Sequence, residues 1–320
     1  MKILVTGAEG FVGPHLIGAL KTAGHTVEPT SWRGSVGRSL DLTDAAAIDR
    51  VIEEVAPDAV IHLAAISSVP EAAQSIDRAW QVNVDGTRRL AAAHGRVRPD
   101  GVFLAISTGA LYASSLRAAN DRLDESHLCR PETAYGSTKV AMEAALEALR
   151  RSDDPAPRIV IARPFNHIGP GQEPNFALPG FAEQIVRGEA AVDAGEGVEP
   201  LPIHVGNLDV KRDFLDVRDV VEAYRTLIED PTAHGVFNVC SGESRSLRSV
   251  LDRLRSRAVI ATEVVPDPSR IRSTDPDAVE ASSARLRRET GWAPKITLDT
   301  TLDDILDDWR ARIRTAVEIE

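Results

Sequence analysis

The chain has 320 residues, 43% hydrophobic and 27% charged, the proportions of a folded globular protein rather than a disordered, collagenous or disulfide-stapled one. Its 48 acidic and 37 basic residues leave a net charge of −11, which argues against broad nucleic-acid binding, because that needs a positive surface to displace counterions. Two cysteines, Cys129 and Cys240, are too few for a disulfide framework or a zinc site and fit a reducing cytoplasm; no apolar run approaches the roughly 20 residues that span a bilayer, and residues 1–6 read as a strand rather than a secretory leader.

Lys2–Thr6 is an apolar run followed at once by Gly7-Ala8-Glu9-Gly10-Phe11-Val12-Gly13, and Val12, Leu16 and Leu20 then recur at helical spacing until Gly24. A second strand is predicted over 26–30. A helix follows over 44–55, capped by Thr43-Asp44 and closed before Pro57. Further strands are expected at 59–63, 102–106 and 158–162, with a long helix over 135–151. Strands alternating with helices predict an α/β fold with a parallel sheet covered on both faces. After Arg163 prolines and glycines cluster, 188–202 reads as loop, 216–229 as helix, 236–239 as a short strand and 302–313 as a closing helix. The expected division is a dinucleotide-binding domain over 1–165, with 208–239 returning to it, and a smaller interleaved substrate domain over 166–207 and 240–320. The arginine clusters at 253, 255 and 257 and at 285, 287 and 288 read as solvated helix faces.

Gly7, Gly10 and Gly13 stand between a strand and a helix, where a tight turn, close backbone approach and a helix N-terminus together suit a pyrophosphate. At the end of the second strand, where NAD readers place a carboxylate for the ribose 2′-hydroxyl, stands Ser31-Trp32-Arg33. Either Arg33 pairs with a 2′-phosphate and Ser31 donates to it, which favours NADP(H) over NAD, or Arg33 is an ordinary loop residue. Asp41-Leu42 either closes over the adenine or serves as helix entry.

Tyr135-Gly136-Ser137-Thr138-Lys139 sets a phenol and an ammonium on one helix face. A phenol of pKa about 10 needs help to exchange protons near neutrality, and a neighbouring ammonium is expected to lower it. Thr108 or Ser107, after the 102–106 strand, would hydrogen-bond both the substrate oxygen and Tyr135.

These stretches together resemble the extended short-chain dehydrogenase/reductase family, the NAD(P)-dependent sugar-nucleotide epimerases, dehydratases and reductases. The resemblance runs over nearly the whole chain: the glycine loop, His62-Leu63-Ala64-Ala65, Asn83-Val84-Asp85-Gly86-Thr87, the Thr–Tyr–Lys set and Arg163-Pro164-Phe165-Asn166. It implies a Rossmann-type doubly wound sheet and a cofactor held by Gly7, Gly10, Phe11, Val12, Gly13, Leu63, Ala64, Ala65 and Asn83. It implies Thr108, Tyr135 and Lys139 as catalytic residues, Tyr135 and Lys139 also touching the cofactor. Asn166, Arg212 and Arg272 would meet the diphosphate of a nucleoside-diphosphate sugar, Asp275 its ribose, and two copies of the chain would pair through helices that include 135–151. Met142, Ala145, Leu146 and Leu149 of that helix lie either in such an interface or in the chain's own core.

Within the family, Arg163–Gln172 and Gly206–Phe214 are similar to reductases of GDP-4-keto-6-deoxy-D-mannose. Dehydratases of GDP-mannose carry a carboxylate two residues after the triad threonine; here Ala110 stands there, and a methyl group does no acid–base work. Those reductases tend to have acidic residues where this chain has Gly109-Ala110, a departure that points to a different sugar pocket. The expected activity is NADPH-dependent reduction of a nucleotide-linked 4-keto-6-deoxy sugar. The alternatives are an NAD-retaining 4-epimerase and a non-catalytic NADP-responsive protein.

Overall fold

The computed structural model describes residues 1–112, 122–197, 200–271 and 278–317. Its strands are β1 (Lys2–Thr6), β2 (Thr26–Ser31), β3 (Arg38–Ser39), β4 (Ala59–His62), β5 (Val102–Ile106), β6 (Arg158–Pro164), β7 (Asn166–Ile168), β8 (Leu201–Val205), β9 (Lys211–Asp216), β10 (Gly235–Val239), β11 (Ser244–Ser246) and β12 (Thr262–Pro266). Seven form one parallel sheet in the order β10-β6-β5-β4-β1-β2-β3, the doubly wound arrangement expected, with strand order reversing between β1 and β4. β1, β4 and β5 read as continuous apolar runs because a parallel sheet is buried on both faces.

Leu4, Val60, Phe103 and Ile159 are register partners across four strands and share a core cluster with Ile48, Ile52, Leu90, Met142 and Leu146. Those last five come from the helices Ala45–Val55, Thr87–Val97 and Ala134–Arg151. Met142, Leu146 and Leu149 therefore belong to the chain's own core, not to an exposed interface. Asp44 caps the Ala45–Val55 helix by accepting from the N–H groups of Ala46 and Ala47, and Thr133 caps Ala134–Arg151 through the Gly136 N–H.

The chain divides into two compact units, one of residues 1–165, 218–240 and 282–293, the other of 166–217, 241–281 and 294–320. The returning segment starts at 218 rather than 208, because β9 pairs with β7 and β11 in a separate three-stranded sheet. The second unit contains a helix, Ala177–Asp193, that runs through the start of the expected 188–202 loop. Leu178, Phe181, Ala182 and Ile185 bury its inner stripe, and Gly188 fits because Leu201 fills the place of its side chain. The arginine clusters are bonded rather than merely solvated: Arg253 and Arg257 pair with Asp299, and Arg285 donates to the carbonyls of Val236 and His234. Among the described residues no helix is long and apolar enough to cross a membrane.

Candidate active site

In a doubly wound sheet ligands lie beyond the C-terminal strand ends where the order reverses, here at Thr6-Gly7 and His62-Leu63. Gly7 has φ +69°, and a Cβ on it would stand 2.7 Å from the Ala64 backbone. A Cβ on Gly13 would stand 2.1 Å from the Ala8 carbonyl oxygen. The Gly10 N–H donates to Gly7 O and the Gly13 N–H to Gly10 O, so the loop turns directly into the helix Val12–Thr22. That helix starts at Phe11 with no side-chain cap and no acidic residue in its first turn, which suits an anion at its positive end. A cradle that a Cβ would fill, headed by an uncapped helix, fits a dinucleotide pyrophosphate. Gly7, Gly10, Phe11, Val12 and Gly13 would hold it, with Leu63, Ala64 and Ala65 alongside.

The end of β2 departs from the reading of its sequence. Ser31 is buried, and its hydroxyl accepts from the Val36 N–H at 3.0 Å and from Ser35 Oγ, bracing the turn instead of facing a phosphate. Arg33 lies over the Trp32 ring, 4.6 Å from its centre, and Arg78 joins it at 5.1 Å. Asp41 accepts from the Thr43 N–H at 2.8 Å and the Thr43 hydroxyl at 2.7 Å, which hold its carboxyl below the ordinary range; it also receives Trp32 Nε1. It thus acts as the turn before the Asp44-capped helix. Leu42 is core, and Gly86 leaves room for it, since a Cβ there would lie 2.8 Å from Leu42 Cβ. A carboxylate does reach the end of β2, supplied from the glycine loop: Glu9 Oε1 accepts the Trp32 N–H at 3.2 Å.

A buried polar chain ties these strand ends to the helix Ala134–Arg151. The Thr87 hydroxyl donates to Asn83 O, so it accepts from His62 Nε2, and His62 Nδ1 in turn accepts from Thr6 Oγ1 at 2.7 Å. His62 is therefore neutral and protonated on Nε2, consistent with burial and the Lys139 charge pushing its pKa down to about 3. Asn83 sits in a π-helical turn, Gln81–Gly86, where its amide bonds both the N–H and the C=O of Ile66 and also Thr138 Oγ1. Its side chain thus positions the loop after β4 and the helix Ala134–Arg151, rather than standing open to a cofactor. Asn83→Ala should cost about 2–4 kcal/mol in urea unfolding, since two backbone groups of Ile66 lose their partner. A loss below about 0.5 kcal/mol would contradict this brace.

Thr108, Tyr135 and Lys139 come together as expected. Thr108 stands close enough to the Tyr135 phenol to pull its pKa down, and its oxygen accepts the Ala110 N–H at 3.2 Å. Ser107 is excluded from that role because its hydroxyl is buried and donates to Glu143. Lys139 donates to the Ile106 carbonyl at 2.7 Å, and its Nζ lies 6.0 Å from the centre of the Tyr135 ring. The expected lowering of the phenol pKa is not what the fold gives: burial drives Tyr135 up to about 12, against the opposing pull of Thr108. Burial also brings Lys139 down to about 8, with Glu143 opposing. The site holds a neutral phenol, which gives a proton more readily than it takes one.

In the second unit Asn166 opens β7 and is exposed. Arg212 lies on β9 and donates to Lys211 O, while Asp213, its neighbour on the opposite strand face, is buried among the N–H groups of Ser241 and Gly242 and the Ser241 hydroxyl. Arg272 and Asp275 lie outside the described residues. Sequence reasoning overlooked Glu143, Arg163 and Tyr112, which form a buried hydrogen-bonded set behind Lys139. A signal for it was present: a carboxylate four residues after Lys139 on a helix otherwise lined by Met142, Leu146 and Leu149.

Residues 3–240 match the model of the NAD dependent epimerase/dehydratase family. The chain is 38% identical over 314 residues to a Pseudomonas aeruginosa protein named GDP-6-deoxy-D-mannose reductase, covering 98% of both. Among solved structures it is similar to RMD from Pseudomonas aeruginosa complexed with NADPH, with a TM-score of 0.84, 36% identity, and 97% of this chain and 99% of that one covered. It is also similar to Thermus thermophilus UDP-glucose 4-epimerase in complex with NAD, with a TM-score of 0.83, 27% identity, and coverage of 97% and 99%. With its glycine cradle at the strand-order reversal and its Thr108–Tyr135–Lys139 set, the chain belongs to the NAD-dependent epimerase/dehydratase family.

Proposed function

We propose that this protein reduces the keto group of a GDP-linked 4-keto-6-deoxyhexose with NADPH. The observation that carries the reading is the neutral, half-buried Tyr135 phenol beside Thr108, with Ala110 where a dehydratase has its base. The similarity to a GDP-6-deoxy-D-mannose reductase and to an NADPH complex supports it. The bound cofactor would supply hydride to the keto carbon. Tyr135 protonates the oxygen as negative charge develops on it, a favourable transfer because even a phenol of pKa about 12 is a stronger acid than an alcohol. Thr108 orients that phenol, and the Lys139 ammonium, held by Ile106 O, adds positive charge to the site. On the family resemblance Asn166 and Arg212 bind the substrate diphosphate, with Arg272 and Asp275 as further candidates. A homodimer and a cytoplasmic setting belong to the same proposal, carried by the resemblance and the two-cysteine composition.

The test is loss of NADPH absorbance on adding GDP-4-keto-6-deoxy-D-mannose, one equivalent per sugar reduced; silence from folded protein would sink this substrate assignment. One observation favours the NAD-retaining epimerase instead: Glu9 stands at the end of β2, where a carboxylate suits a ribose hydroxyl. Arg33→Ala separates the two cofactor readings. If Arg33 meets a 2′-phosphate, the variant loses about tenfold or more of its kcat/KM for NADPH with little change for NADH. Equal loss with both would place Arg33 outside cofactor selection.

A further inference from the structure

Glu143 lies one helical turn beyond Lys139, and its side chain is only 11% exposed. Its carboxylate accepts from Ser107 Oγ, the residue directly before Thr108, and from both Nε (3.0 Å) and a terminal nitrogen of Arg163 at the end of β6. Arg163, 6% exposed, donates also to Tyr112 OH, which donates to Asn238 Oδ1 on β10 at 3.0 Å. Ser107 N–H donates to Ala162 O, closing β5 onto β6. One carboxylate therefore joins the strand end that carries Thr108 to the helix that carries Tyr135 and Lys139.

A buried ion pair adds little net stability compared with an apolar replacement, so stability alone is a weak reason for it to stand here. Its charge matters more. Lys139 Nζ donates to the Ile106 carbonyl from β5, approaches Met142 Sδ at 3.8 Å, lies 6.0 Å from the centre of the Tyr135 ring, and is coupled by charge to the neutral His62 from β4 and to Glu143 one turn along its own helix. In those surroundings a carboxylate one turn away favours the ammonium over the amine.

We propose that Glu143, clamped by Arg163 and Ser107, is a positioning residue that keeps Lys139 cationic and holds Thr108 in register with Tyr135. The kinetic part of this inference rests on the reductase reading; the charge part does not.

The chain has five lysines, so the ε-carbon signal of Lys139 can be followed through a pH titration of protein labelled with 13C-lysine. In Glu143→Gln the Lys139 pKa should fall by about one unit or more. With GDP-4-keto-6-deoxy-D-mannose and NADPH, kcat at neutral pH should drop about 10- to 100-fold with both KM values nearly unchanged, the loss shrinking as pH is lowered. Arg163→Lys, which keeps the carboxylate but loses the fork, should leave the Lys139 titration near that of the parent while still lowering kcat. Should Glu143→Gln fail to fold, Glu143→Gln/Arg163→Met must titrate Lys139 below Arg163→Met alone, a comparison that isolates the carboxylate. An unmoved Lys139 titration, with a superimposable pH profile and activity that follows the folded fraction, would reduce the pair to packing and overturn the inference. A parent enzyme silent toward the keto sugar would sink the reductase reading alone, because the lysine titration still decides the role of Glu143.

Discussion

Replacing Tyr135 by phenylalanine is expected to lower kcat by about 10²- to 10⁴-fold while leaving NADPH affinity within a few-fold. The phenol is the group beside Thr108 that holds a transferable proton, and its removal leaves the ring, with its packing, in place. Because burial holds that proton up to about 12, the alkaline side of the rate profile should not report Tyr135. It should report Lys139. Burial brings its pKa to about 8, so kcat/KM, which reads the free enzyme, is expected to be flat below that pH and to fall as pH rises through it. Circular dichroism and NADPH titration of the variant check that fold and cofactor site survive. A Tyr135→Phe enzyme within tenfold of the parent would remove Tyr135 from the chemistry.

Gly13→Ala should weaken NADPH binding by about 100-fold, near 3 kcal/mol, and lower Tm. The added methyl would sit 2.1 Å from the Ala8 carbonyl oxygen, and the Ala8 carbon and Cα stand close behind. These are backbone atoms that cannot rotate away, so the loop itself must open and the helix end recede from the pyrophosphate. Gly18, on the same helix, supplies the control, because a Cβ there would meet nothing within 4 Å. Gly18→Ala is expected to leave binding unchanged and to stabilise by up to about 1 kcal/mol through helix propensity. Isothermal titration of both variants separates a closed cradle from a general effect of glycine replacement.

The parallel sheet was legible because buried parallel strands are apolar throughout: Lys2–Thr6, Ala59–His62 and Val102–Ile106 needed no tertiary information. The glycine loop and the Tyr135–Lys139 pair were legible because each is fixed by local spacing, along a turn or one helix face. The end of β2 was not, because its chemistry comes from elsewhere in the chain. Glu9 arrives from the glycine loop and Arg78 from the helix Ile76–Trp80, while Ser31 is turned inward by a bond to Val36. Asn83 was assigned to the cofactor from its motif, yet its amide is spent on Ile66 and Thr138, contacts that no spacing along the chain foretells. The lowered phenol pKa expected from the sequence failed for a related reason: neighbours four residues apart are local, but burial is a property of the whole fold.

The most direct measurement supplies NADPH deuterated at the transferred position and follows the sugar by mass spectrometry. Reduction at the keto carbon predicts one deuterium in each product molecule, matched by one cofactor oxidised, and no deuterated product with Tyr135→Phe. An isomerised sugar without deuterium, formed with no loss of NADPH absorbance, would contradict the reductase account and leave the NAD-retaining epimerase in its place.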